Sequence, residues 1–266
     1  MKLLLIPALA LAIALGYMVM FEDQYIYFPM PEVARTPADA GLAFEEHEFH
    51  TEDGVKLHGW HIPGDGDDFT VLHFHGNAGN ISHRLHLYRR WHDMGLSVFA
   101  FDYRGYGNSE GKPSEEGLYA DGRAALLELQ ESQNIPAERI ILAGRSIGCA
   151  VAARLATTVR AAGLALETPF TNIPDMAREH YPWLPLGPFV RSRFDILQTI
   201  GDVDMPLLVL SANDDRIAPA SMAGRILETA TKTTKSSAGF NGGHNDFDIV
   251  SERAYVSAWN NWLASL

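Results

Sequence analysis

The chain has 266 residues, 47 % hydrophobic and 20 % charged, enough for one α/β domain or two small ones with a real core. Its formal net charge of −12 excludes the positive footprint that a nucleic-acid surface requires. With Cys149 as the only cysteine, an internal disulfide and a thiolate metal cluster are also excluded, and a core of this size needs no staple in any compartment.

The N-terminus departs from a soluble pattern. Leu3 to Phe21 reads LLLIPALALAIALGYMVMF, uncharged throughout, and is about long enough to span ~30 Å of hydrocarbon. Three readings compete. One is a spanning anchor over residues 1–24. A second is a cleaved signal peptide, with Lys2 as a minimal basic region and Ala8-Leu9-Ala10 or Ala12-Ile13-Ala14 as the cut site. The third is a buried helix. The anchor is preferred, because the apolar run exceeds an ordinary signal-peptide core. Lys2 precedes the run and the first basic residue after it is Arg35, which puts the N-terminus in the cytoplasm and the domain outside. Tyr25, Tyr27 and Phe28 suit an aromatic interface belt.

Residues 25–43, with Pro29, Pro31 and Pro37, read as an extended connector, and the folded domain spans 44–266. Phe44 to Thr51 and Val55 to Ile62 alternate around Asp53-Gly54, which predicts a β-hairpin with a two-residue turn. Strands are expected at Thr70–Phe74, Ser97–Phe101, Arg139–Ala143, Gly163–Leu166 and Pro206–Leu210. Helices are expected at Ile81–Met94, Ser114–Gln130, Ile147–Thr158, Ala220–Thr229 and Val250–Leu263. Apolar strands alternating with helices predict a mostly parallel sheet covered on both faces, with the hairpin antiparallel at one edge. Ligands bind such sheets at the carboxyl ends of the strands.

One of those ends reads Gly144-Arg-Ser-Ile-Gly148. A serine between two glycines, at a strand-to-helix turn, is the pattern of a nucleophile elbow: the turn is sharp, neighbouring backbones pass close, and the hydroxyl is exposed at a helix N-terminus. Ser146 is the candidate nucleophile, and the Ile147 N–H is placed to meet an oxyanion. A serine needs a base, and chains of this kind run in the order Ser, acid, His. Of the two histidines after Ser146, His244 lies in a glycine-rich loop before the last helix and His180 in a probable insertion, so His244 is the candidate base. The acid belongs after the Pro206–Leu210 strand, where Asp214 and Asp215 compete. The second oxyanion donor belongs in His75-Gly-Asn-Ala-Gly-Asn80, with the Asn77 N–H the first choice and Ala78 the second. His73 and His75 raise a zinc site, but no carboxylate accompanies them at metal spacing, so no metal and no cofactor is expected.

Phe74-His-Gly-Asn-Ala-Gly-Asn80, Phe101-Asp-Tyr-Arg-Gly-Tyr-Gly107, Gly144-Arg-Ser-Ile-Gly148, Asp215-Arg-Ile-Ala-Pro219 and Gly243-His-Asn-Asp246 resemble the α/β-hydrolase superfamily. Together with Tyr25-Ile-Tyr-Phe-Pro29 they look most like its membrane-anchored serine hydrolases, a group that includes protein-depalmitoylating thioesterases and bacterial members. The resemblance implies an α/β-hydrolase fold and, through the Asp-x-x-Ile/Val-Pro spacing, favours Asp215 over Asp214. It also implies that Asp102 and Glu167 stabilise the fold rather than react. Two departures stand out: Leu210-Ser-Ala-Asn replaces the usual His-Gly before the acid, and Thr231–Gly239 is unusually polar for a strand.

The segment at about 171–205 is longer than a connection needs and carries Tyr181-Pro-Trp-Leu-Pro-Leu-Gly-Pro-Phe189, which reads as a short cap. The expected function is a serine hydrolase acting on a small acyl ester or thioester, or on another acylated substrate. The alternatives are amide cleavage by the same residues and a non-catalytic, membrane-tethered binding module. The sequence does not indicate an oligomeric state.

Overall fold

The computed structural model describes residues 11, 13–66 and 68–266. At its centre is one eight-stranded sheet, formed by β1 (Glu45–His50), β2 (Lys56–Ile62), β3 (Thr70–Phe74), β4 (Ser97–Asp102), β5 (Ile140–Arg145), β6 (Gly163–Glu167), β7 (Leu207–Ala212) and β8 (Lys235–Phe240). Their order across the sheet is β8-β7-β6-β5-β3-β4-β2-β1. The pairs from β8 to β4 are parallel, while β2 pairs antiparallel with both β4 and β1. This is the mostly parallel sheet with an antiparallel edge hairpin that the alternation of strands and helices predicts, and it has the α/β-hydrolase fold that the resemblance implies.

The strand residues explain the layers. β3, β5 and β6 are buried at every position, and successive side chains face opposite sides. Leu72 and Leu142 join one core and Val71 and Ile141 the other. The first core is covered by α2 (Glu115–Glu131), α3 (Ile147–Ala156), α5 (Ile196–Ile200) and α6 (Ala220–Thr229); the second by α1 (Leu85–Asp93) and α8 (Glu252–Leu263). Two further helices, α4 (Ile173–His180) and α7 (Phe247–Val250), border the carboxyl ends of the strands. Capping is local: Ser114 accepts the Gly117 N–H ahead of α2, and Asn172 accepts the Asp175 N–H ahead of α4.

Three expectations are corrected. The hairpin turn spans 51–55 rather than two residues, because the Thr51 hydroxyl accepts the Val55 N–H at 2.9 Å and donates to Asp53 at 2.6 Å, which widens the loop. The closing helix is interrupted at Ser251, whose hydroxyl donates to the Asn241 carbonyl at 3.0 Å. The helix expected from Ile81 opens as a 3-10 turn, Ile81–Arg84, before α1. The polar segment before His244 is β8, an edge strand, and edge position accounts for its composition.

No helix among the described residues is long and apolar enough to cross a membrane. Residues 3–10 and 12 of the predicted span, with the Ala8-Leu9-Ala10 site and the first residue of the Ala12-Ile13-Ala14 site, lie outside the described residues; 13–20 are helical.

Candidate active site

The elbow follows directly from the sequence. Ser146 sits between β5 and α3 at φ 54°, a backbone region that non-glycine residues rarely occupy. Its N–H is held by the Glu167 carbonyl at 3.0 Å and its carbonyl by the Cys149 N–H at 3.0 Å. The flanking glycines answer a packing demand. A Cβ on Gly148 would lie 2.0 Å from the Phe74 carbonyl oxygen, and one on Gly144 would lie 2.4 Å from the Gly148 oxygen.

His244 and Asp215 are brought together. His244 Nδ1 lies 2.7 Å from Asp215 Oδ2, and both residues are buried. The other Asp215 oxygen accepts the Ile217 and Ala218 N–H groups, each at 2.8 Å, so the carboxylate is fixed from both sides. Asp214 is exposed and meets the histidine loop instead: its N–H donates to the Gly242 carbonyl at 3.1 Å and its carboxylate accepts from Gly242.

Ser146, Ile147, Asn77 and His244 line one cavity of about 540 Å³. No hydrogen bond joins the Ser146 hydroxyl to His244 among the described residues, a looseness common when no substrate is bound. Ile147 opens α3, so its N–H has no partner within the helix. The Asn77 peptide is held from behind. Its carbonyl accepts from Phe28 N–H at 2.9 Å and from the Tyr106 hydroxyl at 2.8 Å, and its side chain donates to the Ile26 carbonyl at 2.9 Å. Residues 28–29 pair in parallel with 78–79, and Asn80 donates to the carbonyls of Met30 and Glu32. The chain just after the apolar run is therefore laced onto the candidate oxyanion loop, which residue patterns did not reveal.

The insertion forms the other wall, through Ile173, Met176, His180 and Leu186. His180 Nε2 bonds the Ile217 carbonyl at 2.9 Å. Glu22 ties the two walls: its buried carboxylate accepts the Arg191 N–H at 2.8 Å and the Ser192 N–H and hydroxyl at 3.0 and 3.1 Å.

Beneath the elbow lies an ionic network that sequence reasoning missed. Arg145 pairs with Glu167 at 3.1 Å and Asp248 at 2.7 Å, and Asp248 also meets Arg90 at 2.7 Å. Tyr255 and Trp259 donate to Glu167. Burial pulls the Arg145 guanidinium down, but Glu167 and Asp248 outweigh it and leave its pKa raised. Burial likewise opposes ionisation of Asp248, yet hydrogen bonds with His86 and Arg145 hold its carboxyl well below the usual range.

The two histidines of β3 and its following residue go to separate partners. His73 Nδ1 meets the Tyr88 hydroxyl at 3.1 Å, and His75 Nδ1 the Gly76 carbonyl at 2.7 Å. Burial pushes His75 down to about 3. Its Nε2 lies 3.5 Å from Asp102, whose carboxyl burial pushes up to about 7. Among the described residues, Glu45 and His47 on edge strand β1 and His61 on β2 have metal-ligand proximity, but His47 Nδ1 already meets Glu128 at 2.9 Å.

A strand-to-helix elbow, a His–Asp pair and an amide-rich loop lie together at the carboxyl end of a parallel sheet. The chain belongs to the α/β-hydrolase superfamily: it is 36 % identical over 225 residues to the α/β-hydrolase domain-containing protein WAV2 of Arabidopsis thaliana, covering 76 % of this chain and 73 % of that protein. The family described as serine aminopeptidase, S33, matches residues 67–194. An uncharacterized protein of Mycobacterium tuberculosis is 35 % identical over 265 residues, covering 97 % of this chain and 94 % of that protein. Lysophosphatidylserine lipase ABHD12 of Danio rerio is 29 % identical over 240 residues, covering 75 % of this chain and 62 % of that protein. Among solved structures, a Pyrococcus furiosus esterase shares the fold with a TM-score of 0.78 at 21 % identity, covering 90 % of this chain and 98 % of that one.

Proposed function

We propose that the protein is a serine hydrolase that cleaves carboxylic ester or thioester bonds through an acyl-enzyme. The observation that carries this reading is the 2.7 Å contact between His244 and Asp215 beside the cavity that Ser146 lines. Ser146 Oγ attacks the acyl carbonyl carbon and His244 Nε2 takes its proton. Asp215 accepts from Nδ1–H, which fixes the tautomer and stabilises the imidazolium. The Asn77 and Ile147 N–H groups receive the oxyanion. His244 then protonates the leaving alcohol or thiol, and water, activated by the same imidazole, frees the acid.

The cavity walls are mostly apolar side chains such as Phe28, Phe170, Ile173 and Met176, which suits an acyl chain and supports a lipid-like or acylated-protein substrate, including the depalmitoylating type. The similarity to a lysophosphatidylserine lipase supports an ester. A single-pass anchor over residues 1–24, with the N-terminus cytoplasmic and the domain outside, belongs to the same proposal. It is supported by the apolar run and by exposed Met20, Phe28, Trp183 and Phe189. A second reading, amide cleavage, is favoured by the aminopeptidase description of the matching family.

The test is fluorophosphonate labelling of wild type and Ser146→Ala, with p-nitrophenyl esters of rising chain length and aminoacyl anilides in parallel. Labelling and ester turnover by wild type alone are expected. Anilide turnover without ester turnover would favour the amidase. A folded wild type inert in every assay would leave a binding module.

A further inference from the structure

We propose that Arg84 forms an anion subsite of this cavity, so that the preferred substrate carries a phosphate or carboxylate group close to the scissile acyl bond. The inference rests on the ester-hydrolase reading and names its substrate class. Three side chains of formal charge line the cavity among the described residues: Glu22, Arg84 and Arg145. Glu22 is matched by Arg191 and Ser192, and Arg145 by Glu167 and Asp248. Arg84 is different. It donates one hydrogen bond, from Nη2 to the Ala78 carbonyl at 2.7 Å, and makes no ion pair among the described residues. Its Nε is buried without a hydrogen-bond partner.

Local structure puts it there. Asn80 caps the 3-10 turn Ile81–Arg84 by accepting the Ser82 N–H at 3.0 Å, and that turn folds the guanidinium back onto the oxyanion loop. Burial lowers the Arg84 pKa, yet a guanidinium remains protonated. Asp248 and Asp102 act on it without forming an ion pair, and a cation held in a partly dry, mostly apolar site without a paired carboxylate is unfavourable. A bound anion offsets that cost, and the planar fork matches the oxygens of phosphate or carboxylate. With apolar walls, this cation and Ser146 all lining one cavity, the site fits an amphiphile: an acyl chain joined by an ester to a small anionic head.

The experiment uses four acyl esters of equal chain length, whose alcohol portions carry a phosphate, a carboxylate, a trimethylammonium group or no charge. Wild type, Arg84→Gln and Arg84→Lys are compared by fatty-acid release. Wild type is expected to favour an anionic ester over the neutral one by about tenfold or more in kcat/KM, Arg84→Gln to erase that ratio, and Arg84→Lys to keep part of it. The phosphate and carboxylate arms show which anion is preferred. A wild type without anionic preference, or an Arg84→Gln that leaves the ratio unchanged, overturns the proposal. A second measurement is independent of turnover: dodecyl phosphate and dodecanol are titrated into Ser146→Ala with and without Arg84→Gln. Arg84-dependent binding of the phosphate alone is expected, and binding insensitive to Arg84 also overturns the subsite. Absence of hydrolysis and of fluorophosphonate labelling, with Arg84-dependent binding intact, would instead overturn the ester-hydrolase reading.

Discussion

Arg145 and Asp248 join the residue before the candidate nucleophile to the helix after the candidate base, with Nη2 2.7 Å from Oδ1. Asp248 is fully buried and also meets Arg90. Replacing it with asparagine leaves two buried guanidinium groups short of a counter-charge. The expected cost is about 3–5 kcal/mol, the range for breaking a buried pair. Urea unfolding of Asp248→Asn checks it, and kcat should fall further than KM rises, because Asp248 connects two parts of the site and does not itself line the cavity.

The acid assignment separates two neighbours. Asp215→Asn leaves His244 Nδ1 facing an amide and should lower kcat by roughly 10³–10⁴. Asp214→Asn removes an exposed loop bond and should change kcat by no more than about twofold. Comparable losses in both variants would contradict the His244–Asp215 geometry.

Gly148→Ala places a Cβ 2.0 Å from the Phe74 carbonyl oxygen and close to the His75 oxygen. Backbone atoms of a fully buried strand cannot give way cheaply, so the loss should reach about 3 kcal/mol or more. A thermal unfolding midpoint close to that of wild type would refute the packing argument for the second glycine of the elbow.

Tyr106→Phe removes one of two donors to the Asn77 carbonyl, the other being Phe28 N–H. Stability should fall by about 1 kcal/mol. Because the loosened Asn77–Ala78 peptide directly follows the Gly76–Asn77 peptide that bears a proposed oxyanion donor, kcat for ester hydrolysis should fall by roughly tenfold. Steady-state kinetics at saturating ester reads the effect.

Asp102 carries a pH signature. Its carboxyl is raised in the folded protein to about 7, so between the ordinary carboxylate range and pH 7 the folded state binds a proton that the unfolded chain releases. That contribution is fully present at low pH and is lost as pH rises through about 7. His75, lowered to about 3, works in the opposite direction, adding stability as pH rises from about 3 to the ordinary histidine range. Comparing wild type with Asp102→Asn isolates the first effect. The stability of wild type relative to the variant should decline between pH 4 and 7.5 in urea titrations.

The fold was legible because burial on both faces leaves an uninterrupted apolar signature. Val71-Leu72 and Ile140-Ile141-Leu142 read as parallel strands for the same reason that they are buried. Ser146 and His244 were legible because an elbow and a glycine-rich loop need particular residues at short spacing. What escaped notice depends on partners distant in the chain. Glu22 looks like the polar end of an apolar run until it meets Arg191 and Ser192. Arg145 occupies the variable position of the elbow, and nothing in its neighbours announces Asp248. Tyr-x-Phe-Pro carries part of the family resemblance, but its physical reason, the pairing of Phe28 and Pro29 with Ala78 and Gly79, lies in the strand register. The hairpin turn and the closing helix depart from the expected pattern where side chains of Thr51 and Ser251 bond the backbone.

The Glu22 clasp also separates traffic from chemistry. One lip of the cavity belongs to the chain around Glu22 and the other to the insertion around Arg191, and three hydrogen bonds and an ion pair hold them together. Parting these two segments would widen the mouth without moving the sheet that carries Ser146. Entry and release rates would then respond to residues at this seam, and the bond-making geometry would not.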